Sequence, residues 1–263
     1  MKPNYKNWVP KGLLVALAVV TAVVLLFFLA LGVLGTGVSD AARGVLAVVL
    51  GLASAACLVL LALGIALYRA FDYNGKRQMA RAIVDGVAQY VHLPDGGCGL
   101  DVGCGSGALT IACAKRNPQG SMTGVDLWGV TYASYNKKLC EDNALAEGVS
   151  NVRFLQGNAV KLDFPDESFD AVTSNYCYHN IVGVNRQDVL LEMLRVLKKG
   201  GTFALHDLMS RARYGDMQAF VERLQGMGYQ EVQIIDTTQG LFMSPREAKF
   251  LFLGGSTLLV GRK

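Results

Sequence analysis

Charge is what the first quarter of this chain lacks. No acidic or basic residue occurs from Gly12 to Leu34, or again from Gly44 to Leu67. The length of the first run, and a second following at once, argue against a cleaved signal peptide. Soluble core helices of that length carry polar residues on one side, and these do not. Each run is long enough to cross about 30 Å of hydrocarbon as a helix. With no charge inside either run, a transport path is disfavoured. The six cysteines form no C-x-x-C pair and have no histidine at metal-ligand spacing, so they read as reduced thiols rather than a disulfide or metal framework. The formal charge of +4 is not gathered into a basic stripe with interleaved aromatics, which disfavours nucleic acid.

What is present divides the chain in two. Lys2, Lys6 and Lys11 precede the first apolar run, and Arg69, Lys76, Arg77 and Arg81 follow the second. The connection 35–43 carries Arg43 as its one cation. Cations at both outer ends predict a multi-pass hairpin in the cell membrane with both termini and the following domain cytoplasmic. Gly51, Ser54 and Ala55 are the small residues expected to let its helices approach. Residues 1–70 thus read as an anchor with transmembrane helices at 12–34 and 44–67. Residues 71–97 read as a linker and a first helix, and 98–263 as a ligand-binding domain.

From Gly99 onward, short apolar strands alternate with helical stretches. Strands are expected at 99–102, 121–126, 152–156, 169–175, 202–207, 232–235 and 256–260. Helices are expected at 77–91, 107–117, 132–147, 187–197 and 216–227. The pattern predicts an α/β fold: a Rossmann-like, seven-stranded, mostly parallel sheet with helices on both faces, preceded by the transmembrane helical hairpin. Ligands of such sheets sit beyond the C-terminal strand ends. The first strand ends in Asp101-Val-Gly-Cys-Gly-Ser-Gly107, a turn that exposes backbone N–H groups at a helix start. Its glycines are spaced G-x-G-x-G, not G-x-G-x-x-G, and no Tyr-x-x-x-Lys pair is suitably placed, which disfavours a nicotinamide-dependent oxidoreductase. The second strand ends in Asp126, about 20 residues downstream, where a carboxylate can take both hydroxyls of a ribose.

Three stretches resemble the UbiE-like (methyltransferase type 11/25) branch of the class I S-adenosylmethionine (SAM) methyltransferases. They are Leu100–Gly107, Gly157-Asn-Ala-Val-Lys-Leu-Asp-Phe-Pro-Asp-Glu-Ser-Phe-Asp170 and Leu191–Gly201. The resemblance runs from Gly75 to Lys263 and implies SAM as cofactor. It further implies Asp101 beside the methionine amino group, with Gly103, Cys104, Gly105, Ser106 and Gly107 as the loop. Asp126 falls at the ribose, Leu127 and Trp128 beside the adenosine, and Asn158 with Ala159 at the adenine. Asn158 stands where the family usually has an aspartate and keeps only the acceptor oxygen. Ser174 is a further cofactor candidate, and Tyr73 a lid candidate. Cys104 is a small filler in the family rather than a nucleophile.

His179, just past the fourth strand, is a candidate general base or a structural histidine. Tyr178, Tyr176 and Asn175 are candidates for the acceptor pocket or the core. His206 and Asp207 are equally open to packing or acceptor contact. The expected function is transfer of the SAM methyl by in-line displacement to a lipophilic small molecule. Such chemistry needs chiefly alignment and no metal. A non-catalytic SAM-binding membrane module is the alternative, and no residue reveals the atom methylated.

Overall fold

A computed structural model describes residues 2–129 and 134–263. They fall into two compact units, 7–80 and 81–263, the latter including residues 2–6. The first residues therefore group with the domain rather than with the anchor to which the sequence had assigned them.

In the unit 7–80, α1 (Lys11–Phe27) continues through a π-helical turn, Phe28–Val33, and α2 runs from Asp40 to Phe71. The second helix is longer at both ends than its uncharged run. Ser39 caps its N-terminus by accepting from the Ala42 amide, Asp40 lies in the first turn and Arg69 in the last, all favourable at those ends. The Arg43 guanidinium donates to the carbonyls of Gly32 and Val33, which close the first span. Both spans are long and apolar enough to cross a membrane, with mean hydropathy 3.1 and 2.8. Their leucines and valines are largely exposed. The helices meet through small residues: Thr21, Gly32, Ser54 and Gly64 are buried, and a Cβ on Gly32 would lie 2.9 Å from the Ala47 backbone. Gly51 packs on the Phe28 ring, whereas Ala55, expected at this seam, is exposed because it lies one residue off the contact face.

The domain begins with α3 (Met79–Ala88) and is built on β1 (Cys98–Val102), β2 (Ser121–Asp126), β3 (Val152–Gln156), β4 (Phe169–Asn175), β5 (Leu197–Leu208), β6 (Gln230–Asp236) and β7 (Ser256–Arg262). Their order is β3-β2-β1-β4-β5-β7-β6, with β7 antiparallel to both neighbours and the other pairs parallel. The order reverses between β1 and β4, which opens a crevice at their C-terminal ends. Helices α4 (Ala108–Arg116), α5 (Lys137–Ala146), α6 (Arg186–Arg195) and α8 (Met217–Gly226) alternate with the strands. The expected start of the α5 helix at Tyr132 lies outside the described residues, and Asn136 caps it by accepting from the Leu139 amide.

Two differences from the sequence expectation matter. β5 starts at Leu197, paired with Phe169, before the register jumps to Ala171–Thr202 across the Lys198–Gly201 bulge. The β6–β7 connection holds a short helix, α9 (Pro245–Phe250), closed by a Ser244–Glu247 capping box. A four-residue α7 (Arg211–Tyr214) follows β5. The core gathers the inner faces of β1, β4 and β5 with Leu190, Met193 and Leu194 of α6 and Phe220 and Leu224 of α8, all buried. This packing fixes the strand ends from which the site is made.

Candidate active site: a glycine loop, a carboxylate cap and a histidine pair

The loop after β1 is held from two sides. The amides of Gly103 and Cys104 both donate to the Val125 carbonyl, at 2.8 and 3.0 Å, tying the turn to β2. Asp126, at the end of β2, accepts from the Gly105 amide at 2.9 Å and, with its other oxygen, from the Trp128 amide at 2.8 Å. The Trp128 indole N–H returns to the Gly105 carbonyl at 3.0 Å, and the Cys140 thiol donates there at 3.2 Å. Gly103 has φ +77°, and a Cβ on it would stand 2.1 Å from the Cys177 sulfur. Gly105, at φ +55°, has nothing within 4 Å on its Cβ side. The first glycine is thus required by a close approach inside the protein, and the second leaves the loop's face open.

Asp101 is buried at the end of β1, where Thr110 Oγ1 donates to it at 2.6 Å. Burial pushes its pKa up to about 7, against the opposing pull of that bond. Ser106 is buried and its hydroxyl donates to the Tyr5 carbonyl at 3.0 Å. Asn4 and Asn143 exchange two bonds, the Asn4 amide donating at 2.6 Å and the Asn143 side chain at 3.1 Å. The Asn143 amide also reaches the Ser106 carbonyl at 3.0 Å. Burial pushes the Cys104 thiol well up, which leaves it inert.

Past β4, Cys177 touches the glycine loop, and a single 3-10 turn, Tyr178–Asn180, carries His179. Its Nδ1 meets Asp207 at 2.5 Å and its backbone amide donates to the same carboxylate at 3.0 Å. Asp207, at the end of β5, also accepts from Tyr214 at 2.9 Å and from the Leu208 amide at 2.6 Å. Burial alone would raise its pKa, but these donors hold it below the usual carboxylate range. A carboxylate on Nδ1 fixes the ring and favours the tautomer whose lone pair is on Nε2.

The other expected residues stand as follows. Tyr178 is buried in the core with its hydroxyl on the Met193 sulfur at 2.8 Å, so it does not reach an acceptor pocket; the helical turn rotates it inward. Ser174 is buried and donates to the Val102 carbonyl, bracing β4 on β1. The Asn158 side chain is exposed and accepts from the Val160 amide of its own turn, with Ala159 half-buried beside it. Leu127 is 56 % exposed beside the half-buried Trp128. The Asn175 side-chain oxygen accepts from His206 Nδ1 at 2.8 Å, and the Thr237 hydroxyl meets Nε2 at 3.0 Å. Burial lowers the His206 pKa to about 3, so this ring is a neutral core histidine. Tyr176, at φ +49°, stacks on it and bonds Ser256 at 2.5 Å. Tyr73 belongs to the unit 7–80. Sequence reasoning left Asp207 undecided and missed Tyr214, Thr110 and the Asn4–Asn143 pair; none has a local motif.

A reversed strand order, an antiparallel β7 and a glycine turn capped by the acid of β2 define the class I methyltransferase fold. Residues 100–205 match the methyltransferase domain family model. The chain is 33% identical over 135 residues to the demethylmenaquinone methyltransferase of Geobacillus stearothermophilus, covering 51% of this chain and 55% of the relative. To that of Listeria monocytogenes serotype 4a it is 37% identical over 109 residues, covering 41% and 43%. It thus spans about half the length of these curated relatives. The [4+2]-cyclase SpnF shares the fold at TM-score 0.55 and 22% identity, over 73% of this chain and 85% of that one. Geranyl diphosphate methyltransferase, in complex with GPP and sinefungin, shares it at 0.55 and 16%, over 74% and 81%. Residues 100–205 thus form a methyltransferase domain of the class I fold, similar to the UbiE-like branch of the SAM-dependent methyltransferases. SAM is its cofactor. The residues fit that group: the open face at Gly105 is a cradle that a Cβ would fill, with a half-exposed carboxylate at Asp126 on one side and a buried acid at Asp101, its pKa raised to about 7, on the other.

Proposed function

We propose that the protein is a membrane-anchored enzyme that methylates a lipophilic, protic ring compound of the quinol kind. The observation that carries this reading is the His179–Asp207 pair, set one short turn from the glycine loop. Bound SAM supplies an electrophilic methyl group, and the chain's own residues hold and orient the reactants. Asp126 would take the ribose hydroxyls, Trp128 and Leu127 would flank the adenosine, Asn158 and Ala159 would serve the adenine, and Asp101 would hold the methionine ammonium. Gly105 admits the cofactor to its amide-lined face.

His179, held by Asp207 with its lone pair on Nε2, accepts the acceptor's hydroxyl proton as the nucleophile forms. A sulfonium acceptor of electrons needs little activation, so this base serves an acceptor whose nucleophile is otherwise protonated. A thiolate, already ionised, would not require it. Support for a lipophilic acceptor comes from two sources. The relatives in Geobacillus and Listeria are named for a demethylated menaquinone. The two apolar helices expose their side chains rather than burying them, as membrane spans do.

The test is transfer of a labelled methyl group by the full chain in nanodiscs, offered reduced demethylmenaquinone beside water-soluble phenols and amines. Transfer to the quinol, lost in His179→Gln with SAM binding retained, is the expected result. Transfer to water-soluble acceptors alone would overturn the reading.

A further inference from the structure

We infer that the rim of loops at the C-terminal end of the sheet is itself a lipid-facing surface, which dips into the headgroup layer of an anionic membrane. This rests on reading the two apolar helices as membrane spans. From Arg81 onward the described residues expose nine large apolar side chains, of which six lie in loops that follow β2, β3, β4 and β6. Leu127 and Val160 flank the cofactor crevice and need no other explanation. Val182, Leu241, Phe250 and Phe252 do. They are 84%, 46%, 53% and 67% exposed, and nothing in the proposed chemistry uses them. Val182 stands three residues after His179, and Leu241, Phe250 and Phe252 lie in the β6–β7 connection, whose Gly255 carbonyl takes the Met209 amide at the end of β5. The four therefore share the sheet end that carries the site.

Phe252 is held at φ +58°, a conformation bulky side chains rarely adopt, by the Phe252 amide bonding to the Lys249 carbonyl and the Leu253 amide to Ala248. The turn projects a large ring into solvent at a steric cost that apolar surroundings would offset. The cations around these residues match an anionic lipid surface. Arg246 and Lys249 are exposed on α9, and Arg211 and Arg213 on α7; Arg211 lies 3.7 Å from Asp216, while Glu247 is held in the capping box. Aromatic and aliphatic tips ringed by arginine and lysine are the composition of interfacial membrane contacts. Such a rim would give a lipid-dissolved acceptor a route to His179 without crossing water.

The test uses the full chain in phosphatidylcholine–phosphatidylglycerol vesicles whose phosphatidylcholine is brominated on its acyl chains. Tryptophan is placed by Phe250→Trp or Phe252→Trp, and by Met227→Trp as control, since Met227 is 56% exposed at the opposite end of β6. Emission added by the first two should fall about two-fold in brominated vesicles, with the Met227→Trp signal unchanged and the quenching lost when Arg246→Glu and Lys249→Glu are added. Neither cofactor nor acceptor is needed, so failure of the methyl-transfer reading would not move the result. Flotation with the vesicles but no quenching at 250 or 252 overturns the rim and points to a protein partner instead. Failure to float overturns the anchor, and the rim with it.

Discussion

Replacing Asp126 by alanine tests the cofactor site most directly. In the free protein this carboxylate ties down the Gly105 amide at 2.9 Å and the Trp128 amide at 2.8 Å. Each of its oxygens keeps a lone pair for a ribose hydroxyl. A hydrogen bond to a charged group contributes about 1.5–3 kcal/mol, so two ribose bonds supply about 3–6 kcal/mol. At about 1.4 kcal/mol per decade that is a loss of roughly 100-fold to 10,000-fold in affinity. Water entering the gap recovers part, which places the expected value near the lower bound. Asp126→Asn keeps one acceptor oxygen and should lose roughly 10-fold. The assay is calorimetric titration of the full chain in nanodiscs with SAM and with S-adenosylhomocysteine. Both carry the same ribose, so both must weaken together. A loss below about threefold, or one confined to SAM, would refute the assignment.

Other perturbations separate the remaining groups. Asp207→Asn sets an amide NH2 against one of four converging donors, at a cost of about 1–3 kcal/mol. Because the folded pKa is depressed, that stabilisation exists above the ordinary carboxylate pKa of about 4 and is lost as pH falls through the lower folded value. Thermal melts of variant and wild type should therefore differ most at neutral pH and converge in acid. Asp101 behaves oppositely. Between about 4 and about 7 the folded domain keeps a proton that the unfolded chain has released, so stability falls as pH rises through that window, and Asp101→Asn flattens the slope. Binding of SAM at pH 6 should accordingly release protons, measured as a dependence of binding heat on buffer ionisation enthalpy. Gly103→Ala drives a methyl into the Cys177 sulfur and should lower the melting temperature. Gly105→Ala, open on that side, should cost about 1–2 kcal/mol of backbone strain and abolish SAM binding from a folded domain.

The parts of this molecule written in local sequence were legible. β2, β3 and β4 begin and end where their apolar runs do, and the glycine turn with Asp126 announces the cofactor loop. What was illegible depends on pairing between strands. His179 and Asp207 are 28 residues apart and meet because β4 and β5 are neighbours in register, with Asn175 beside His206. Nothing in either segment alone records that. Tyr178 was left open between pocket and core for a related reason: strand alternation had stopped, and a 3-10 turn decides which of three consecutive polar side chains turns inward. Ala55 was misplaced by a single position on a helix whose apolar residues are continuous, where periodicity carries no phase. α9 is six residues long, too short for a helical period to show, although its capping box was visible in principle.

The bonds of Asn4 and Tyr5 have a consequence for synthesis. These residues leave the ribosome well before their partners Asn143 and Glu147, which are 139 and 142 positions later. At about 5–20 residues per second the segment waits roughly 7–28 s for its seat. Meanwhile both apolar helices, 11–33 and 40–71, have been made. A segment made early therefore docks late, on Ser106 of the cofactor loop. The loop is complete only once residues 4 and 5 have come back to it across the whole length of chain made in between.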